Sequence, residues 1–469
     1  MAEKIKFGTD GWRAIIAKEF TVNNVARLTK GLATWAKSQE DNPAIIVGHD
    51  CRFGGELFAE TVAKVLLDEN IKVFLCKGYI STPMLSMATK NYNCVAGVVI
   101  TASHNPPSYN GYKLKANFGG PMQGEGITAV ENEIPDSYTV DLDKIKLLDH
   151  EGVLLSYPNI EADYIKAINE NFDLKAIENA NMGLAYDAMY GSGQAVMKKI
   201  LPNINFYRCE ENPSFYGLSP EPIMKNLHGF SDFIKSNSGI SCGLVTDGDA
   251  DRIGLMDEEG NFVDAHHIIL LLIHYLHHYK GLTGKVVTAF SSVNKIQDMC
   301  KHYNLPIEIV KIGFKYAAGI IVKENVMVGG EESGGIAITG HIPERDGIWM
   351  GLTLWEFMAK SGKTLNELIQ EVYDIVGAFN FKRNDLRLDQ EVKDNIVDNC
   401  KNGKYSSFGN YEVQSIEDMD GWKYILSDDS WVMIRPSGTE PVLRIYAEGK
   451  DEEATNNIVN ATIKTITNA

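Results

Sequence analysis

Four short segments gather side chains able to handle phosphate, metal and hydroxyl groups. Thr101-Ala102-Ser103-His104-Asn105-Pro106 follows the apolar run 95–100. Ser, Asn and Pro suit a plain turn, but a serine exposed at a strand end beside a histidine is also a phosphoryl acceptor. Asp247-Gly248-Asp249-Ala250-Asp251-Arg252 puts three carboxylates at alternate positions of one turn. They repel one another unless a cation joins them, and oxygen ligands with a phosphate to share favour Mg²⁺. An EF-hand beginning at Asp247 would end on Glu258, but Arg252 stands where that loop needs glycine and both flanks read as strands, which excludes it. In Gly329-Gly330-Glu331-Glu332-Ser333-Gly334-Gly335, a carboxylate and a hydroxyl two residues apart on a flexible loop suit the vicinal hydroxyls of a sugar. In Arg435-Pro436-Ser437-Gly438-Thr439-Glu440, followed by Arg444, arginine offers a bidentate fork. Two hydroxyls and glycine-permitted N–H groups complete an anion nest there. His266, His267, His274, His277 and His278 share one helical stretch, but no carboxylate or cysteine set accompanies them, and they read as its solvated polar face.

Alternating helices and strands must position these loops. Val22, Val25, Leu28, Leu32 and Trp35 fall at helical spacing, as do Phe58, Val62, Val65 and Leu66, while 44–48, 71–76 and 95–100 read as short buried strands. That order predicts βαβ units and a mainly parallel sheet. A looser stretch covers about 135–160. The alternation resumes with a strand at 182–187, a helix near 193–201 and strand pieces on both sides of 247–251. A third unit runs from a helix at 265–279 through three apolar strands. Beyond about 370, strands and a closing helix predict an α+β module. Most of the four loops follow a strand, and ligands in open α/β sheets gather beyond the carboxyl ends of strands.

The 469 residues exceed one hydrophobic core, and a rule of about 150 residues per domain gives roughly three. Apolar residues at 44% and charged residues at 23% mark an ordinary globular chain. The net charge of −17 disfavours nucleic acid and anionic lipid, so a cluster of arginines must serve a small anion. The run Ile268 to Ile273 falls far short of the ~20 apolar residues that span a bilayer. The first residues carry no apolar signal core, and seven scattered cysteines without a Cys-x-x-Cys pair suit reduced thiols. A cytoplasmic enzyme without a membrane partner is expected.

Taken in order, and with Phe7-Gly8-Thr9-Asp10-Gly11-Trp12-Arg13 at the start, the segments resemble the α-D-phosphohexomutase superfamily over essentially the whole chain. The resemblance implies three related α/β domains with mixed sheets plus a C-terminal domain similar to the TATA-binding-protein fold, around a central cleft. The corresponding divisions are 1–150, 151–258, 259–368 and 369–469, carrying the serine, metal, sugar and phosphate loops respectively. By the same resemblance Ser103 is the phosphoserine, and Asp247, Asp249 and Asp251 hold one Mg²⁺ with a phosphoserine oxygen. Glu331 and Ser333 take sugar hydroxyls. Arg435, Ser437, Gly438, Thr439 and Arg444 cradle the non-reacting phosphate, and Arg13, His104 and Arg252 match active-site positions.

One reactive serine and one distant cradle cannot move a group along a hexose directly. Phosphoserine must donate first, the resulting hexose 1,6-bisphosphate must turn over, and its other phosphate must return to Ser103. Phosphomannomutase-type members carry Lys-Thr-Gly-His where this chain has Lys311-Ile312-Gly313-Phe314, and a histidine where it has Gly335. Phe314-Lys315 instead resembles phosphoglucomutases, which makes Lys315 a candidate general acid/base with His104 as its rival, and favours glucose phosphates. A phosphomannomutase or dual-specificity enzyme is the alternative, with a phosphoglucosamine mutase behind it. A phosphatase would need no second phosphate cradle. The resemblance leaves both a monomer and a homodimer open.

Overall fold

Capped helices and buried strands build the first sheet. Thr21 caps helix Val22–Gln39 by accepting the Asn24 N–H, and Val25, Leu28 and Leu32 are fully buried on its inner face. Ser81 caps Thr82–Asn91 likewise, with Pro83 in the first turn, where a missing N–H costs nothing. Strands Ala96–Ile100, Ala44–His49, Lys72–Tyr79 and Leu155–Ser156 lie parallel in that order. Tyr109–Ala116 and then Trp12–Ile15 extend the sheet antiparallel. The sheet is therefore mixed, not mainly parallel. Apolar patterning alone does not show Tyr109–Ala116, because Lys113 and Lys115 interrupt it, yet both lysines are fully buried.

This computed structural model describes residues 4–436 and 442–467. The chain divides into two compact units, one formed by 1–287 with 313–369 and the other by 288–312 with 370–469. In the first unit a second sheet runs Phe262–Val263, Ile253–Asp257, Ile240–Thr246, Gly183–Asp187, Asn205–Tyr207. Ile240–Thr246 is parallel to Gly183–Asp187 and antiparallel to Ile253–Asp257, so residues 247–252 form the link between two antiparallel neighbours. Val326–Gly330 pairs antiparallel with Ile336–Ile338, which makes 331–335 a second such link. Asp346 caps helix Gly347–Ser361 through the Trp349 N–H and also accepts from the Tyr164 hydroxyl.

The histidines do not form a solvated face. Asp264 caps Ala265–His274, which continues as a π-helical turn over Tyr275–Tyr279. His266 and His274 are buried, His267 and His277 are half-buried and only His278 of the five is exposed, because residues 268–273 are apolar all round and draw the helix into the interior. Among the described residues no helix is long and apolar enough to cross a membrane.

In the second unit, six strands run Asn380–Arg387, Val442–Gly449, Trp431–Pro436, Trp422–Leu426, Tyr411–Glu417, Ser407–Phe408, with antiparallel neighbours throughout. Val432 and Ile434 share a core with Ile396 of helix Gln390–Lys401 and Ile458 of helix Glu452–Thr467. Trp431 and Met433 point to the opposite face, against Phe290 and Tyr446. Both faces are covered, which is why 431–434 is continuously apolar. The polar strand Asn380–Arg387 and helix Gln390–Lys401 escape the hydrophobic pattern because they sit at the margin, half-buried or exposed over most of their length.

Lys423 is 2% exposed, its ammonium 4.0 Å from the Trp431 ring centroid and bonded to the Asn294 side chain at 3.1 Å. Burial pushes it down to about 8, with Glu448 and Glu417 pulling the other way. Between about 8 and the ordinary 10.5 the unfolded chain holds a proton that the folded chain lacks, so stability from this residue rises with pH across that window. Melting curves of the wild type should therefore gain on those of Lys423→Met between those pH values, by on the order of 1–3 kcal/mol. Curves that stay parallel would contradict the assignment.

Candidate active site

Ser103 sits just beyond strand Ala96–Ile100 with φ +52°, a left-handed conformation stabilised by its N–H bond to Thr101 Oγ1 at 2.9 Å. Arg52 straps the loop from behind, donating to the carbonyl oxygens of Ser103 at 2.6 Å, Asn105 at 2.7 Å and Pro106 at 3.0 Å. Arg52 is itself paired with Asp50 at 3.3 Å and stacked on the Phe215 ring. Ser103 Oγ donates to Asp247 Oδ2 at 2.6 Å and lies 3.3 Å from His104 Nδ1. The serine expected to be exposed is in fact only 1% exposed, because the aspartate loop closes over it. Gly248 permits that approach, since a Cβ there would stand 2.6 Å from the Ser103 carbonyl oxygen.

Asp247 Oδ1 accepts the N–H groups of Asp251 and Arg252 at 3.0 and 3.1 Å, folding the turn around its own carboxylate. Asp249 Oδ2 accepts from Thr82 and Lys113, and Asp251 Oδ2 meets Lys113 at 2.8 Å and Arg345 at 2.7 Å. Asp249 Oδ1 and Asp251 Oδ1 are buried with no hydrogen-bond partner. One oxygen from each of the three carboxylates lies within 4.8 Å of the others. Orphaned carboxylate oxygens are costly in a dry site, and their convergence fits a hard cation with oxygen ligands. Burial first, then Asp249 and Asp251, push the Asp247 carboxyl well above its ordinary range. Glu258 is exposed at the far end of Ile253–Asp257, consistent with excluding an EF-hand.

Four further residues knit the loops together, and the sequence reading missed them. Lys113 Nζ lies 2.9 Å from Asp10 and 2.8 Å from both Asp249 and Asp251. Arg345 pairs with Asp10 and Asp251, reaches Glu331 at 3.8 Å, and stacks on Phe314. Against burial, Lys113, Arg345 and Lys115 hold Asp10 well below the usual carboxylate range. Asp10 stands inside the stretch 7–13 that carries the resemblance and so had a local signal, whereas Arg345 had none beyond its place before the helix cap Asp346. Lys113 and Arg52 had none that separates them from surface residues.

The sugar-loop candidates dock on the metal loop. Gly334 has φ +88° and would place a Cβ 2.5 Å from the Ile253 carbonyl oxygen, so glycine is required there. Burial raises the Glu331 carboxyl, while Arg345 and the half-buried Ser333 work against that rise. Arg13 donates to Asn105 Oδ1 at 2.8 Å, and Arg252 faces Glu221 at 3.4 Å. Burial first, then Arg252, Arg13, Lys113 and Arg52, push the His104 imidazole well below its ordinary value, so it is neutral near pH 7. Lys315 lies half-buried in the first turn of Phe314–Ile321, 5.4 Å from the Tyr316 ring, and joins no ion pair or hydrogen bond among the described residues. In the second unit Arg435 and Arg444 are direct neighbours across two antiparallel strands. Ser437, Gly438 and Thr439 lie outside the described residues.

Comparison with known proteins agrees with this architecture. Profiles described as phosphoglucomutase/phosphomannomutase, alpha/beta/alpha domains I, II and III, match residues 4–140, 162–260 and 264–376, and the corresponding C-terminal domain matches 402–465. A phosphoglucomutase/phosphomannomutase of Thermococcus kodakarensis is 31% identical over 99% of this chain and 98% of that protein. A phosphoglucosamine/phosphogalactosamine mutase of Sulfurisphaera tokodaii is 30% identical, covering 97% of each. A solved structure from Thermus thermophilus superposes with TM-score 0.87 at 30% identity, over 99% of this chain and 100% of that one. Fold and matches together define a sugar-phosphate mutase, an isomerase by reaction class. The chain belongs to the phosphoglucomutase/phosphomannomutase family of the α-D-phosphohexomutase superfamily, as the sequence motifs anticipated.

If the aspartate turn takes a cation, millimolar Mg²⁺ should raise the melting temperature of the wild type, because a ligand held only by the folded state stabilises it. Asp249→Asn should abolish most of that rise. An equal rise in both proteins would place the ion elsewhere.

Proposed function

We propose that this chain transfers a phosphoryl group reversibly between the 1- and 6-positions of an α-D-hexose phosphate, by way of phospho-Ser103 and a hexose 1,6-bisphosphate. The observation that carries this reading is the Ser103 hydroxyl, 2.6 Å from Asp247 of a buried aspartate triad and beside His104, whose imidazole feels Arg252, Arg13, Lys113 and Arg52. Phosphoryl transfer asks little of a protein except position and charge stabilisation, and the aspartate turn with these nearby cations suits both. Asp247, Asp249 and Asp251 would hold Mg²⁺ together with a phosphoserine oxygen. Bound there, the ion would withdraw charge from the phosphoryl oxygens.

In the first half-reaction a sugar hydroxyl oxygen bonds to phosphorus and loses its proton, while the phosphorus–Oγ bond breaks and Ser103 regains a proton. The bisphosphate then presents its other end: Ser103 Oγ bonds to that phosphorus with loss of its own proton, while the bond from phosphorus to the sugar oxygen breaks and that oxygen takes up a proton. His104, neutral and 3.3 Å from Oγ, suits the serine's proton. Lys315 is assigned to the sugar hydroxyl. Glu331 and Ser333 hold ring hydroxyls, and Arg435, Arg444 and residues 437–439 hold the idle phosphate in either orientation.

Ser103→Ala should lose at least about a thousandfold in rate, since no other group can store the phosphoryl between half-reactions. Intact mass of the active wild type should show a phosphate that the variant lacks. A variant keeping a tenth of the normal rate would rule the serine out.

Glucose 1-phosphate is the proposed preferred substrate, on the strength of Phe314-Lys315 and the missing histidines. The names of the relatives span glucose, mannose and amino-sugar phosphates, so measurement must rank them. Neutral-hydroxyl contacts discriminate by about 1–3 kcal/mol, so kcat/KM for glucose 1-phosphate should exceed that for mannose 1-phosphate by roughly ten- to hundredfold. Glucosamine 1-phosphate should rank last. A higher value for mannose or glucosamine phosphate would overturn the substrate assignment and leave the mutase reading intact.

A further inference from the structure

Arg435 is not aligned by its own strand alone. Its Nε donates to Asp420 Oδ1 at 3.1 Å and its Nη2 to Asp420 Oδ2 at 3.3 Å, so one edge of the guanidinium is held by a matching carboxylate. Asp420 Oδ2 also accepts the Ile312 N–H at 2.9 Å. Ile312 packs beside Phe290, Trp431, Met433 and Tyr446, so this carboxylate joins the arginine to a segment anchored in the core of the second unit. The adjoining turn is built for close approach. Gly421 has φ +103°, and a Cβ there would stand 2.9 Å from the Ile434 carbonyl oxygen and 3.1 Å from Arg435 Cβ. Glycine alone lets residue 420 come this near.

We propose that Asp420 is a positioning residue of the phosphate cradle, aligning Arg435 for the idle phosphate of the sugar and fixing it to Ile312. The proposal rests on the reading of Arg435 as a phosphate-binding residue. Two effects compete. A carboxylate near an anion site repels the incoming phosphate, whereas a guanidinium locked in advance loses less side-chain freedom on binding. The Asp420 carboxylate is engaged by three N–H groups, two from Arg435 and one from Ile312, which spreads its charge into those bonds. Pre-alignment is therefore the larger effect.

The test uses the full chain with the hexose 1-phosphate it turns over fastest, comparing wild type, Asp420→Asn, Asp420→Ala, Arg435→Ala and the Asp420→Ala/Arg435→Ala double variant, with a melting curve for each. Asp420→Ala should raise KM about two- to tenfold, with kcat moving less, and Asp420→Asn should fall between it and wild type. In the Arg435→Ala background the same change should add nothing further, because the group it positions is gone. A KM that stays constant or falls in both Asp420 variants, or losses that multiply fully in the double variant, would overturn the positioning role while Arg435→Ala alone still raises KM. An unchanged KM in Arg435→Ala would instead remove the cradle reading, and this proposal with it. Asp420→Asn keeps the size of the side chain and an acceptor for Ile312, so it reports on the role even if the alanine variant melts early.

Discussion

The first unit is organised around buried charge. Asp10, Asp249 and Asp251 converge on the Lys113 ammonium, which has no exposed surface, and Asp10 and Asp251 are shared again with Arg345. Charges taken out of water are tolerable only when paired and hydrogen-bonded, and losing one partner strands the rest. That requirement reaches well beyond the pairs themselves. It holds strand Tyr109–Ala116 against the aspartate turn, and it holds the segment before helix Gly347–Ser361 against both. Arg345 then extends the same network to Glu331, so serine, aspartate and sugar loops rest on one electrostatic scaffold.

How much of this could be read beforehand follows from where the partners lie in the chain. Three aspartates in five residues announce themselves, because their mutual repulsion is visible without any fold. Lys113 and Arg345 are separated from Asp251 by more than 90 residues each in sequence, and nothing local distinguishes them from surface cations. Lys113 and Lys115 even argue against burial, since alternation with Leu114 normally puts lysines on a wet face. His266 and His274 misled in the same direction: residue type suggested solvent, while the apolar residues 268–273 between them pull both inside. Asn380–Arg387 was invisible for the opposite reason, as a polar margin strand defined by its pairing with Val442–Gly449 and not by its composition. The overall α/β plan was legible because core helices and strands advertise their period; the antiparallel extension of the first sheet was not.

Charge is also distributed on two scales. The chain carries a net −17, yet Arg252, Arg13, Lys113 and Arg52 all act on His104, next to Ser103, and Arg435 stands beside Arg444 in the other unit. A long-range negative field turns away polyanions, while local cations still capture a small dianion once it is within a Debye length, roughly 8–10 Å. Asp50, Asp385 and Asp420 accompany these arginines. They keep the positive groups oriented in a protein whose average potential opposes them.

If Ser103 carries the phosphoryl group, as proposed, its enclosure bears on how often the enzyme would waste that charge of phosphate. With 1% of its surface exposed, between the aspartate turn and the Arg52 strap, the serine leaves solvent almost no line of attack. A phosphoryl group stored there would wait in a place from which water is largely shut out, and hydrolytic leakage would be slow beside transfer to a bound hydroxyl. The lifetime of the loaded state would then be set by the arrival of sugar and not by the solvent. One priming event would serve many turnovers.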